Sequence, residues 1–172
     1  ATLGGVSSTT ISIVDNDPAL PGGGAIRSEV EDWTLTNFDR EARSFASNQE
    51  TIRITADSGF VETAFNGPSG EYNIDVGFFD ENDGEVEARF EINGQLLTAW
   101  QFDAPGAVGD DVPRAENFRT VNLGTNVTLN FVDVLKIVAE QDIEEYARID
   151  YIDFTPVTTA GSLSANLVND TG

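Results

Sequence analysis

Between residues 50 and 154 apolar side chains recur at every second position, segment after segment, and that rhythm restricts the chain to strands. Ile52 and Ile54 alternate with polar neighbours in 50–56. Tyr72, Ile74, Val76 and Phe78 alternate with Asn73, Asp75 and Gly77. Val86, Ala88, Phe90 and Ile92 alternate with Glu87, Arg89 and Glu91. Successive strand side chains point to opposite faces, so each segment has one apolar face to bury. Asn93-Gly94 predicts a type I′ hairpin joining 85–92 to 95–102, because that turn needs positive φ at both central residues. Further strands are expected at 60–65, 121–129, 132–139 and 147–154, and at most one helical turn at 143–146. Short strands separated by turn residues predict an all-β chain, an antiparallel β-sandwich of jelly-roll type.

The 172 residues suit one domain with tails. In residues 1–17, Thr9, Ile11 and Ile13 read as a strand that stops at Val14-Asp15-Asn16-Asp17. Residues 18–25 open on a Pro- and Gly-rich run and read as a linker. The sandwich is expected over 26–157, and the Ser-, Thr- and Gly-rich 158–172 as a linker or the opening of a next module. Ala1-Thr2-Leu3-Gly4-Gly5 is unlike a signal peptide, so the chain is expected to be a mature or excised piece. No apolar run approaches the roughly 18 residues of a membrane span, so no membrane insertion is expected.

Acidic residues number 30 against 9 basic ones, a formal net charge of -21. Nucleic acid and anionic membrane surfaces repel such a chain. Clustered carboxylates keep a protein soluble, and they also bind calcium, a hard cation that takes oxygen ligands. Cysteine, histidine and methionine are absent, which removes disulfides, thiol chemistry and the usual zinc sites. A metal can replace disulfides as the staple of an exported domain.

Family likeness enters through segments in a fixed order. Ile26-Arg27-Ser28-Glu29-Val30-Glu31-Asp32 resembles the opening strand of the carbohydrate-binding modules of families 6, 35 and 36. Gly67-Pro68-Ser69-Gly70-Glu71-Tyr72 is similar to a later strand start, and Phe90-Glu91-Ile92-Asn93-Gly94 to a hairpin of these modules. Val121-Asn122-Leu123-Gly124-Thr125-Asn126 is similar to a further segment, in shortened form. Arg148-Ile149-Asp150-Tyr151-Ile152-Asp153-Phe154 resembles the closing strand. Residues 1–17 resemble the last strand of a Calx-beta domain, and on that likeness are the stump of a preceding module.

In a strand, Glu29 and Glu31 project to one side and repel each other unless a cation sits between them. Two solvent-facing glutamates on an edge strand are the plainer reading. The resemblance implies calcium, adds Asp150 from the closing strand and implies a further ligand near 47–50, for which Glu50 stands.

Sugar sites need an aromatic platform and a few directed hydrogen bonds. The resemblance implies a cleft in the loops at one end, where Phe118 stands near one aromatic position and Phe60 or Asp57 near the other. Arg148 replaces an asparagine of the family. Trp100 reads as core or platform, Tyr146 as a platform, and Trp33 as core. Acidic loops at 103–117 and 140–145, with Asp111 and Asp142, offer a calcium-held sugar site or a solvated charge cluster. Asp80 through Gly84 reads as an acidic turn, since an EF-hand loop needs glycine sixth and Gly84 is fifth. Asn126-Val127-Thr128 and Asn169-Asp170-Thr171 fit the glycosylation sequon.

No nucleophile motif or phosphate loop is present, so the chain is not expected to be an enzyme. It reads as a secreted monomeric module that takes a poly- or oligosaccharide through a loop-end cleft, with calcium as cofactor. The rival is a calcium-stabilised adhesion spacer. An exposed aromatic with polar companions favours the binder, and its absence favours the spacer.

Overall fold

The computed structural model describes residues 24–81, 84–103, 113–142 and 145–157. The stump at 1–17, most of the linker, the tail from 158, Asp111 and the second sequon therefore lie outside the described residues. Strands β1 (Ile26–Glu29), β2 (Thr34–Thr36), β3 (Phe38–Ala42), β4 (Glu50–Ile54), β5 (Ser58–Ala64) and β6 (Gly70–Phe79) come first. Strands β7 (Val86–Ile92), β8 (Gln95–Phe102), β9 (Phe118–Leu129), β10 (Val134–Glu140) and β11 (Arg148–Pro156) follow. They form two antiparallel sheets, as the alternation requires. One runs β3-β4-β11-β6-β9 with β1 also paired to β11, and the other runs β2-β5-β10-β7-β8.

The core lies between the sheets. Ile52, Ile54, Tyr72, Ile74, Val76, Ile152 and Phe154 of one meet Val61, Ala88, Phe90, Phe102, Leu135 and Ile137 of the other. Trp33 and Trp100 are each 6% exposed, which places both in this core. Asn93 at φ 52° and Gly94 at φ 73° make the predicted hairpin. Asn126 is exposed at φ 54° on β9.

Several elements differ from the sequence reading. β2 and β3 were not foreseen. Both are edge strands, and β3 carries Asp39, Arg40 and Glu41, charges that suit an edge but erase the alternation. Glu29 closes β1, whereas Glu31 sits in a 3-10 turn, Val30–Asp32, and not in a strand. The turn, closed by the Trp33 N–H on the Val30 carbonyl at 3.1 Å, buries both Val30 and Trp33, which a continued strand could not do. Val132 lies ahead of β10 at φ 67°. Asp142 and Glu145 form an isolated bridge where one helical turn was expected; residues 143–144 are not among the described residues.

Candidate functional site

β4 and β1 pair with the same side of β11, β4 at Arg148 and Ile149, and β1 from Tyr151 to Phe154. Where they meet, β11 shifts register between Ile149 and Tyr151. Such an irregularity re-aims a side chain, and the residue it frees is Asp150. A second 3-10 turn, Ser47–Gln49, closes over the junction with Asn48 at φ 51° and Gln49 at φ 64°. Ser47 N–H donates to Asp150 Oδ2 at 3.1 Å, and Ser47 Oγ to Glu29 Oε1 at 2.7 Å. Asn48 Nδ2 donates to Glu31 Oε1 at 3.2 Å.

One oxygen of each carboxylate is thus satisfied. The other is not: Glu29 Oε2, Glu31 Oε2 and Asp150 Oδ1 are buried without a hydrogen-bond partner. Burial pushes the Asp150 carboxyl up to about 7, and Glu29 and Glu31 push the same way against the Ser47 N–H. Burial also raises Glu31. Among the described residues no group of three or more acidic side chains is placed to hold a metal ion as it stands. The orphaned oxygens are carboxylate acceptors, the ligand type that a hard cation takes. Glu50 is not drawn in. Its Oε2 accepts from Arg40 at 3.2 Å.

The residues expected to hold sugar are spread over the molecule. Asp57, Asp142, Tyr146 and Arg148 share the loop end. Asp57 is exposed and its carbonyl accepts from Gln141 at 2.9 Å. Asp142 Oδ2 accepts from Glu85 N–H at 3.2 Å. Arg148 is fully buried, with Nε on Glu41 Oε2 at 2.9 Å and Nη1 on Glu81 Oε1. The guanidinium carbons of Arg53 and Arg148 each lie 5.1 Å from the Tyr146 ring centroid. Phe60 is on the outer face of the other sheet under Lys136 Nζ, 3.7 Å away. Trp100 packs inward against Phe78 and Phe102 and offers no open face. Of the acidic loops, Glu140 faces Arg89 at 3.6 Å and Glu145 Oε2 accepts from Val86 N–H.

Phe118 keeps a half-open position. It packs on Phe79 at 5.4 Å and on Tyr151 at 5.9 Å, above Gly77. Phe45 also packs edge-on against Phe79, at 5.4 Å, and is 41% exposed. Sequence reasoning passed over Phe45, Glu41 and Glu81. The 43–49 loop has no period, and Glu81 reads as one more acid in an acidic turn.

No family model matches the chain. An α-glucuronidase of Hypocrea jecorina is 28% identical over 138 residues, a match covering 76% of this chain and 16% of that protein. The chain therefore spans a small part of that relative's length. A family 35 carbohydrate-binding module from Clostridium thermocellum superposes with a TM-score of 0.58 at 16% identity, covering 77% of this chain and 98% of that one. The fold is that of a carbohydrate-binding module. A family 36 module solved with calcium and xylotriose gives 0.50 at 17% identity, with 76% and 99% covered. The module fold thus accounts for nearly the whole of those compared domains and for the described sandwich of this chain.

Proposed function

We propose that this chain is a non-catalytic carbohydrate-binding module of a secreted, multimodular protein, and that it takes a poly- or oligosaccharide. The observation that carries the reading is the convergence of Glu29, Glu31 and Asp150, each with a buried oxygen left over, in a fold shared with a module solved with calcium and xylotriose. Those three side chains are the proposed calcium ligands. Calcium would supply the positive charge that joins β1, its following turn and β11. Glu50, tied to Arg40, keeps its role as an expectation only. The likeness to a glucuronidase segment supports a polysaccharide-active parent protein.

A calcium-stabilised spacer is the second reading. It is favoured by Arg148, which fills with a buried ion pair the place where related modules present an asparagine. Thermal unfolding with calcium and with chelator, followed by a glycan array with calcium present, separates the two. A calcium-dependent rise with glycan retention supports the module. A rise with no retained glycan supports the spacer, and no rise removes the calcium site.

A further inference from the structure

The outer face of the six-stranded sheet carries a row of rings that starts at Phe118, the aromatic that the family likeness sets in the loop-end cleft, and reaches beyond it. Phe79 points outward from the end of β6, yet it is only 1% exposed, because Phe45 and Phe118 both lean on it. Phe118 continues to Tyr151, and the Tyr151 ring lies under the Arg27 guanidinium, 3.4 Å from carbon to centroid. Gly77 makes the row possible: a Cβ there would stand 2.8 Å from the Tyr151 ring and 3.0 Å from Phe118.

Phe45 is the open member. Its loop also brings Arg43, whose Nη2 donates to Glu41 at 2.5 Å while its Nε is buried without a partner. Glu41 is shared with Arg148, which also holds Glu81. Two guanidinium groups thus stand beside two carboxylates. A ring face flanked by balanced polar groups suits a sugar, whose C–H face stacks and whose hydroxyls bond at the rim. Phe131, 57% exposed at the opposite end, has Val132 and Val134 beside it, with Ser69, Asn130 and Asp133 in the same turn, but no flanking arginine–carboxylate pair among the described residues.

Resting on the carbohydrate-binding reading, we propose that Phe45 and Phe118, backed by Phe79 and rimmed by Arg43, form a stacking site for a neutral oligosaccharide. Charge favours the neutral class: a chain at -21 repels uronate or sulfated glycans, and Arg43 and Arg148 are paired with Glu41 and Glu81.

The test titrates the full chain, in calcium, with neutral xylo-, cello-, manno- and galacto-oligosaccharides and with uronate-bearing and sulfated ones. Phe45→Ala, Phe118→Ala and Phe131→Ala are compared after circular dichroism shows each folded. Expected is retention of a neutral ligand, weakened about tenfold or more by Phe45→Ala and Phe118→Ala and unchanged by Phe131→Ala. A Phe45→Trp variant should bind and shift its fluorescence to the blue on adding sugar, against a constant signal from the buried Trp33 and Trp100. If a glycan binds but Phe45→Ala leaves its affinity within about twofold, or if only anionic glycans bind, the stacking site is wrong and the broader reading stands. If no saccharide binds the native chain, both fail.

Discussion

Arg148 and Glu41 meet across an intervening strand: the Nε of Arg148 donates to Glu41 Oε2 at 2.9 Å, although β4 lies between β11 and β3. Arg148 is fully buried and shares its guanidinium between Glu41, which keeps 17% exposure, and the fully buried Glu81. Removing Arg148 takes a buried cation away from the fully buried Glu81 and leaves Glu41 to Arg43. Arg148→Met should cost about 3–5 kcal/mol in urea unfolding, whereas replacing Arg148 and Glu81 together by apolar residues of like volume, with Glu41 left to Arg43, should cost less.

The Glu31 carboxylate should change sign with the solution. In chelator it faces Glu29 and Asp150 with nothing to neutralise it, so Glu31→Gln should unfold at a higher temperature than the native chain. The proposed calcium would add about 2.7 kcal/mol to the native chain at a hundred times its dissociation constant. Glu31→Gln should lose most of that gain. Scanning calorimetry of both proteins under both conditions gives the crossing.

Gly77→Ala should destabilise by about 1–3 kcal/mol, since a methyl group has no room under Tyr151 and Phe118. Near-ultraviolet circular dichroism should change with it, because Tyr151 must move.

Val132 is branched at Cβ and held at φ 67°, a conformation that costs about 1–3 kcal/mol for a non-glycine residue. Its backbone N–H still bonds the Phe65 carbonyl at 2.8 Å, so the turn keeps its shape for other residues. Asparagine tolerates that region. Val132→Asn should therefore raise stability by about 1 kcal/mol in chemical denaturation.

Beside it, the Asp133 carboxyl opposes burial with hydrogen bonds from Asn93 and Asn130, and its pKa falls below the ordinary value. A depressed carboxyl lends stability above its unfolded pKa and loses it as pH drops through the folded one. Asn93→Ala should remove part of that support, so the acid unfolding midpoint should move to higher pH.

The alternation of Ile52, Ile54, Ile74, Val76 and Phe90 made the sandwich legible, because each of these side chains is wholly buried. Asn93-Gly94 was legible for a backbone reason, its positive φ at two positions. The three-residue β2 is too short for a period, and the charged β3 shows none. Glu29, Glu31 and Asp150 were found through likeness and then met in space. Glu41 and Glu81 could not be found, because a buried acid and a solvated one look alike until their partner is placed. Phe45 carries no periodic signature, and its exposure depends on where one irregular loop lands.

The four-pair ladder between β1 and β11 has a mechanical consequence. Ile26 opposes Phe154, so the described chain is entered and left at the same end of two antiparallel strands. Tension drawn through those ends loads the hydrogen bonds in series, as a zipper, and not all together in shear. Peeling would run from Ile26 towards Glu29 and halt where Ser47 grips both Glu29 and Asp150. That grip is the rivet at the base of the zipper, and it sets how far a pulled module opens before its two sheets part.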